Sequence, residues 1–209
     1  MSLSQDKCGR LADRFFQPLL ARLADLPAAE WTFLRGHLRL LALPRGGQFS
    51  KFGAVPDRFG VVTQGVLCKR HLAPDGPSFV RGFAAEGELV GAYVSLLTGK
   101  PSDLSVEALE DSEVLVVPFA LMDTLYARHA SWERIGRKLA ENFLVERERR
   151  AAELLTSDAT ERYLHFLETH KHLLGRVREA DIASYLGVTP VSLSRIKAQI
   201  RLQSRHDAP

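Results

Sequence analysis

The residues best placed to do chemistry lie near the C-terminus, in Glu179-Ala-Asp-Ile-Ala-Ser-Tyr-Leu-Gly-Val-Thr-Pro-Val-Ser-Leu-Ser-Arg-Ile196. Their spacing predicts two helices crossing steeply over a short turn. A small residue, Ala183, lets the second helix approach the first. Gly187 supplies a left-handed backbone at the turn. Thr189 caps the second helix, and Pro190 occupies its first turn, where the missing N–H costs nothing. Ile182, Leu186, Val188, Leu193 and Ile196 fill the wedge between the helices. On a wheel whose buried side is Leu193, Ile196 and Ile200, the residues Val191, Ser194, Arg195 and Ala198 point outward. A face of small side chains with one arginine suits the major groove of duplex DNA. There Arg195 would bond bidentately to guanine, with Ser194 beside it and Val191 on a thymine methyl. Lys197, Arg201 and Arg205 flank that face and suit phosphates. Thr189 and Ser192, at the helix start, complete the expected DNA-contacting set.

The elements before this motif must position it. The first forty residues read as helical, with Pro27-Ala-Ala-Glu30 opening a short helix that carries Trp31, Phe33 and Leu34. From His37 to Val117, short apolar runs alternate with Gly and Pro punctuation, including Gly46–Gly47, Gln64–Gly65, Pro74-Asp-Gly-Pro77 and Gly99-Lys-Pro101. That texture predicts a small β-roll of jelly-roll type. Phe59 to Arg70 reads as two strands joined around Gln64–Gly65. Leu104–Leu109 and Glu113–Val117 read as another pair. Phe119–Ala127 reads as a short helix. Ser131 then caps a long helix to about Leu155, roughly 37 Å at 1.5 Å per residue. Its stripe of Trp132, Ile135, Leu139 and Phe143 suits either packing on its own domain or pairing with a second copy; the second reading is preferred, with Ile135, Leu139 and Phe143 as the expected dimer contacts. Thr156-Ser157-Asp158 is a polar break, and Asp158 with Glu161 forms a capping box for the next helix. The expected organisation is α+β: a β-roll sensor domain over 1–130, a dimerisation helix over 131–155, and a winged-helix-type helix-turn-helix domain over 156–209. The stretch after Ile200 is too short for a full wing hairpin.

Composition agrees. The chain has 209 residues, 45% hydrophobic and 25% charged, with a net charge of +3, the values of a soluble globular protein. No membrane span or export signal is expected, and a reducing cytoplasm is the expected compartment. The two cysteines, Cys8 and Cys68, are too few for a disulfide framework or a four-thiolate metal site. Cys68 beside Lys69 and Arg70 is a candidate redox sensor, against the simpler reading of a buried strand thiol. His71 lacks the partners of a metal-dependent cupin. His165, His170 and His172 do not share a helical face and read as polar surface near a helix end. Glu86 and Glu88 have no third catalytic partner. No catalytic constellation and no cofactor are therefore expected.

Ile182-Ala-Ser-Tyr-Leu-Gly-Val-Thr-Pro-Val-Ser-Leu-Ser-Arg-Ile196 resembles the helix-turn-helix of the Crp/Fnr family of bacterial transcription regulators. Gly87-Glu-Leu-Val-Gly91, Pro101-Ser102 and Val106-Glu-Ala-Leu-Glu110 resemble its effector domain, and the order of elements agrees from about residue 25 to 202. The resemblance implies a homodimer seamed by the long helix, a two-fold site on double-stranded DNA, contact with RNA polymerase, and a small-molecule effector near Gly87, Glu88, Leu89 and Ser102. In cyclic-nucleotide-binding members, an Arg-Ser or Arg-Thr pair holds the cyclic phosphate; Pro101-Ser102 stands in its place here. The Fnr-type iron–sulfur cluster needs more cysteines than this chain has. Val191 stands where many members carry an acidic base-reading residue. The expected activity is DNA-binding regulation in answer to a signal other than a cyclic nucleotide, or to none. The competing reading is a ligand-binding β-roll whose helical tail makes protein contacts.

Loss of the phosphate's charge-assisted bond forfeits about 1.5–3 kcal/mol. Calorimetry with cyclic AMP and cyclic GMP is therefore expected to show no dissociation constant in the low micromolar range. Tight binding would mean that another cation holds the phosphate.

Overall fold

A computed structural model describes the backbone of residues 3–72 and 78–206, and the side chains of 5–72 and 78–202. The Pro74–Pro77 punctuation and the side chain of Arg205 lie outside them. At the N-terminus, α1 (Leu3–Leu11) runs through a π-helical turn (Ala12–Phe16) into α2 (Gln17–Ala21), and α3 (Ala28–His37) follows Pro27.

The roll consists of β1 (Arg39–Leu43), β2 (Gln48–Ser50), β3 (Arg58–Gln64), β4 (Leu67–Leu72), β5 (Ser78–Ala84), β6 (Leu89–Val90), β7 (Leu104–Ala108) and β8 (Ser112–Pro118). A short helix, α4 (Tyr93–Thr98), interrupts it between β6 and β7. The strands form two four-stranded antiparallel sheets, in the orders β1-β8-β3-β6 and β2-β7-β4-β5. β4 and β5 pair directly, but other strands consecutive in sequence separate. β3 and β4 lie in different sheets, and so do β7 and β8, which the sequence had read as a pair. The crossing from β3 to β4 explains why. Gly65 has φ +91°, and a Cβ there would sit 2.1 Å from the Ser112 hydroxyl. Only glycine lets the chain pass that close and turn out of the first sheet.

Alternation along the strands sorts side chains into layers. Val62, Leu67, Val106, Val114 and Val116 face the roll interior. Val61, Leu115 and Val117 point the other way, beneath the N-terminal helices together with Phe16, Leu34 and Trp132. Both faces of the first sheet are covered, which is why β8 reads as an unbroken apolar run. After β8 come α5 (Leu121–Arg128) and the 27-residue α6 (Ala130–Thr156). His129 caps α6 by accepting from the Ser131 N–H, while the Ser131 hydroxyl donates to Asp25 O at 2.7 Å. The helix therefore begins one residue before the serine that was expected to cap it. Glu30 accepts from Arg128 and from Trp132 Nε1 at 2.9 Å, joining α3, α5 and α6.

Three further helices follow: α7 (Ala159–Thr169), α8 (Glu179–Leu186) and α9 (Pro190–His206). The Asp158–Glu161 capping box opens α7. Among the described residues no strand follows Pro118, so the wing of a winged-helix domain is absent from them. Leu202-Gln-Ser-Arg205 has no Gly or Pro to stop α9, which continues where a wing would start.

The C-terminal helices cover the outer face of the second sheet. Cys68, Val80 and Phe83 share one core with Tyr163, Phe166, Ile182, Leu186 and Leu193. The Val80 N–H, on edge strand β5, donates to Ser184 Oγ on α8 at 2.9 Å. Asp181, 3% exposed, lies at the centre of this seam. It accepts from Arg70 of β4 at 2.8 Å and from Arg178 at 2.9 and 3.2 Å. Burial works against its charge, but the two guanidiniums outweigh it and hold the carboxyl below its ordinary range. At the rim, Arg176 bonds Glu86 at 2.7 Å and Glu110 at 2.5 Å. The Arg176 bond holds Glu86 down to about 2.

Asp181→Ala strands Arg70, whose side chain is 12% exposed. It is expected to cost about 3–5 kcal/mol in urea unfolding, whereas replacing the pair together by Asp181→Leu and Arg70→Met recovers most of that loss. A single replacement within 1 kcal/mol of the parent would show that the pair does not hold the seam.

Candidate nucleic-acid interface

The hairpin of α8 and α9 is built by its turn. Gly187 ends α8 with φ 71°; its N–H donates to Ser184 O, and the Val188 N–H donates to Ala183 O at 3.0 Å. This is a Schellman arrangement, and it satisfies the last carbonyls of α8. Ala183 is fully buried. Thr189 Oγ1 accepts the Ser192 N–H at 3.1 Å, capping α9, and shares a hydrogen bond with the Ser192 hydroxyl. The side chains of Thr189 and Ser192, both expected at DNA, are thus joined to each other at the helix start.

Leu193 and Ile196 are buried and Ile200 is half-buried against the same core. Their wheel leaves Val191 61% exposed, with Ser194, Arg195 and Ala198 exposed along the same side. The Arg195 side chain makes no ion pair with any described residue, so its guanidinium is presented to solvent. Arg201 is exposed one and a half turns on. Lys197 sits at the side of α9 and bonds Glu179 of α8 at 2.5 Å. A phosphate would have to draw it from that surface pair, a small cost for an exposed partner.

The residues expected around an effector are not gathered in this way. Gly87 holds a turn at φ +85°, and Glu88 accepts from the Ala85 N–H at 3.0 Å within that same turn. Leu89 begins β6. Ser102 is 2% exposed, and its hydroxyl both donates to Leu104 O and accepts from Leu104 N. These polar groups are occupied by their own loops. Lys69, His71 and Arg81 carry no effector role in the sequence analysis, yet they come together on the roll. Lys69 reaches across the roll to Leu89 O at 3.4 Å. His71 meets Arg81 at 3.0 Å and Asp103 at 3.5 Å. Burial lowers the pKa of Lys69, with Glu88 opposing, and burial and then Arg147 lower that of Arg81. The available signal was period two: Lys69 and His71 follow Leu67, an interior residue, on one strand face.

Ile135 is 2% exposed in its own chain's core, Leu139 packs against that core, and the Phe143 ring meets Tyr93 at 5.0 Å. Ile135 is thus taken up by its own chain, while Leu139 and Phe143 stay half-buried on the same face of α6. Cys68 is fully buried, and burial pushes its thiol up to about 12, which argues against redox sensing. His170 stacks on Phe166; burial, then the charges of His172 and His165, bring it down to about 4. Among the described residues no cluster of metal-ligating side chains occurs, and no helix is long and apolar enough to cross a membrane.

Residues 41–129 match the family model of the cyclic nucleotide-binding domain. No curated protein sequence matches the chain. Among solved structures, FixK2 from Bradyrhizobium japonicum is similar with a TM-score of 0.71 at 20% identity, covering 80% of this chain and 86% of that one. A putative transcriptional regulator of the Crp/Fnr family from Eubacterium rectale is similar with a TM-score of 0.68 at 14% identity, covering 86% and 85%. The c-di-GMP responsive global regulator CLP of Xanthomonas campestris is similar with a TM-score of 0.64 at 19% identity, covering 85% and 93%. The β-roll, the long helix and the helix-turn-helix thus occur here together and in order: the chain has the fold of the Crp/Fnr family of transcription regulators.

Proposed function

We infer that the chain is a sequence-specific DNA-binding transcription regulator that acts as a homodimer on a two-fold site. The observation that carries this reading is the outer face of α9. It is small-sided and exposed around Arg195, which pairs with no described residue, and it is backed by a packed hairpin that fixes its direction. Ser194 and Val191 accompany Arg195 at base edges, while Lys197 and Arg201 hold phosphates. The likeness in fold to regulators supports RNA polymerase as a further partner. The occupied hydroxyl of Ser102 supports a signal other than a cyclic nucleotide.

The dimer seam belongs on the outer face of α6. Leu144 is 58% exposed and Leu155 is 86% exposed. With Ala140 and Ala151, they form a stripe at steps of four and seven residues, on the side of the helix opposite Ile135. Small alanines alternating with the leucines let two such helices approach closely. A two-fold axis along this stripe sets two copies of α9 about one turn of DNA apart, roughly 34 Å.

Two outcomes are expected. Leu144→Asp with Leu155→Asp should give a monomer in sedimentation at micromolar concentration, with the far-ultraviolet spectrum unchanged; a dimer that survives both substitutions contradicts the seam. Arg195→Ala should cost about 1–3 kcal/mol on the preferred site and relax preference at one base pair. Lys197→Ala and Arg201→Ala should instead weaken all duplexes alike and make the salt slope shallower by about one. Competition titrations at two salt concentrations separate these effects. Equal losses on every sequence for Arg195→Ala would make it a phosphate contact.

A further inference from the structure

The seam between the roll and the helix-turn-helix encloses a cleft of about 600 Å³ on the outer face of the second sheet. Lys51, Phe52, Arg70, Leu72, Glu107 and Arg178 line it. It is separate from the roll interior, where Lys69 and Arg81 lie, and from the exposed face of α9. Its charge is unbalanced: three cations line it, against Glu107 and the buried Asp181 behind two of them. Lys51 is exposed, and its side chain makes no hydrogen bond or ion pair with a described residue. Arg70 and Arg178 both hold Asp181, but neither exhausts its donors there. Arg70 uses one terminal nitrogen, and Arg178 uses Nε and one terminal nitrogen. A guanidinium has five N–H donors, so each keeps an edge for a second oxyanion. Phe52, 46% exposed, and Leu72 add an apolar wall beside these donors. A few convergent polar groups beside an apolar surface are the usual make-up of a small-molecule site.

We propose that this cleft binds an organic phosphate monoester, its phosphoryl oxygens on Lys51 and the free edges of Arg70 and Arg178 and its organic group on Phe52. Phosphate suits the site better than a monocarboxylate, because three oxygens match donors that arrive from three elements. Arg178 belongs to the start of α8, whereas Lys51 and Arg70 belong to the roll. The ligand therefore contacts both sides of the seam, and its binding is linked to the docked position of the helix-turn-helix. The site does not depend on the DNA-binding reading: binding is measured without DNA, so failure of either leaves the other standing.

The test is calorimetry on the full chain with phenyl phosphate and with inorganic phosphate. Phenyl phosphate is expected to bind at least tenfold more tightly, and Phe52→Ala should erase that difference. Lys51→Ala should weaken both ligands about tenfold while leaving the Asp181 pairs intact, and Glu107→Gln should tighten both. Lys100→Ala, a remote exposed cation, should change neither. No heat from either ligand would overturn the proposal. So would binding that is insensitive to Lys51→Ala, and so would binding lost in Arg81→Gln but kept in Lys51→Ala, which would put the phosphate inside the roll.

Discussion

Asp181 is a carboxylate withdrawn from water and held between Arg70 of the roll and Arg178 of its own helix. A buried charge of this kind tolerates little displacement, because each lost bond exposes the full cost of desolvation. It therefore fixes where α8 sits on the second sheet. Ser184, one turn further along α8, closes the free edge of β5. Phe83, Phe166 and Tyr185 pack their rings together across the same seam. Arg150 of α6 reaches Tyr185 O and lies over the Tyr185 ring at 4.1 Å, bringing the long helix into the same contact. The direction in which α9 presents Arg195 is thus set by the roll and by α6 as well as by its own hairpin. A change at the seam would be felt at the exposed face of α9 as a rotation, without any residue of α9 being touched.

The long helix serves two surfaces. Its first turns are core: Trp132 and Ile135 lie under the N-terminal helices, and the Trp132 indole bonds the buried Glu30. Its later turns carry a second apolar stripe on the opposite side, around Leu144 and Leu155. Burying the first stripe within the chain leaves the second exposed. Pairing it with a copy of the same helix would join two rolls and two hairpins through one rigid rod, so that a shift of either roll is passed to both.

Much of this was legible in the sequence where local rules decide. Gly187, Ala183, Thr189 and Pro190 each do the job that their chemistry suggests, and the Asp158–Glu161 box forms as spelled. Non-local geometry was not legible. Glu113–Val117 looked like the neighbour of Leu104–Leu109 because a short polar turn joins them, yet the turn carries the chain from one sheet to the other. Ile135, Leu139 and Phe143 made the clearer stripe on α6, and hydrophobic spacing does not say whether the partner is the same chain or another. Glu88 and Ser102 looked available for a ligand because the hydrogen bonds that occupy them are made within irregular loops, which have no periodic signature. Arg70 and Asp181 are 111 positions apart, and nothing local announces that they meet.

Everything upstream of α9 serves to hold one small-sided helical face in one direction, and duplex DNA is the surface that such a face fits. Selection of bound duplexes from a random pool by the full chain tests this most directly. The expected product is a two-fold symmetric sequence whose half-sites lie about one helical turn apart, roughly 34 Å, with a fixed guanine in each half. A pool that emerges without an enriched sequence, or with a single unpaired half-site, would contradict it.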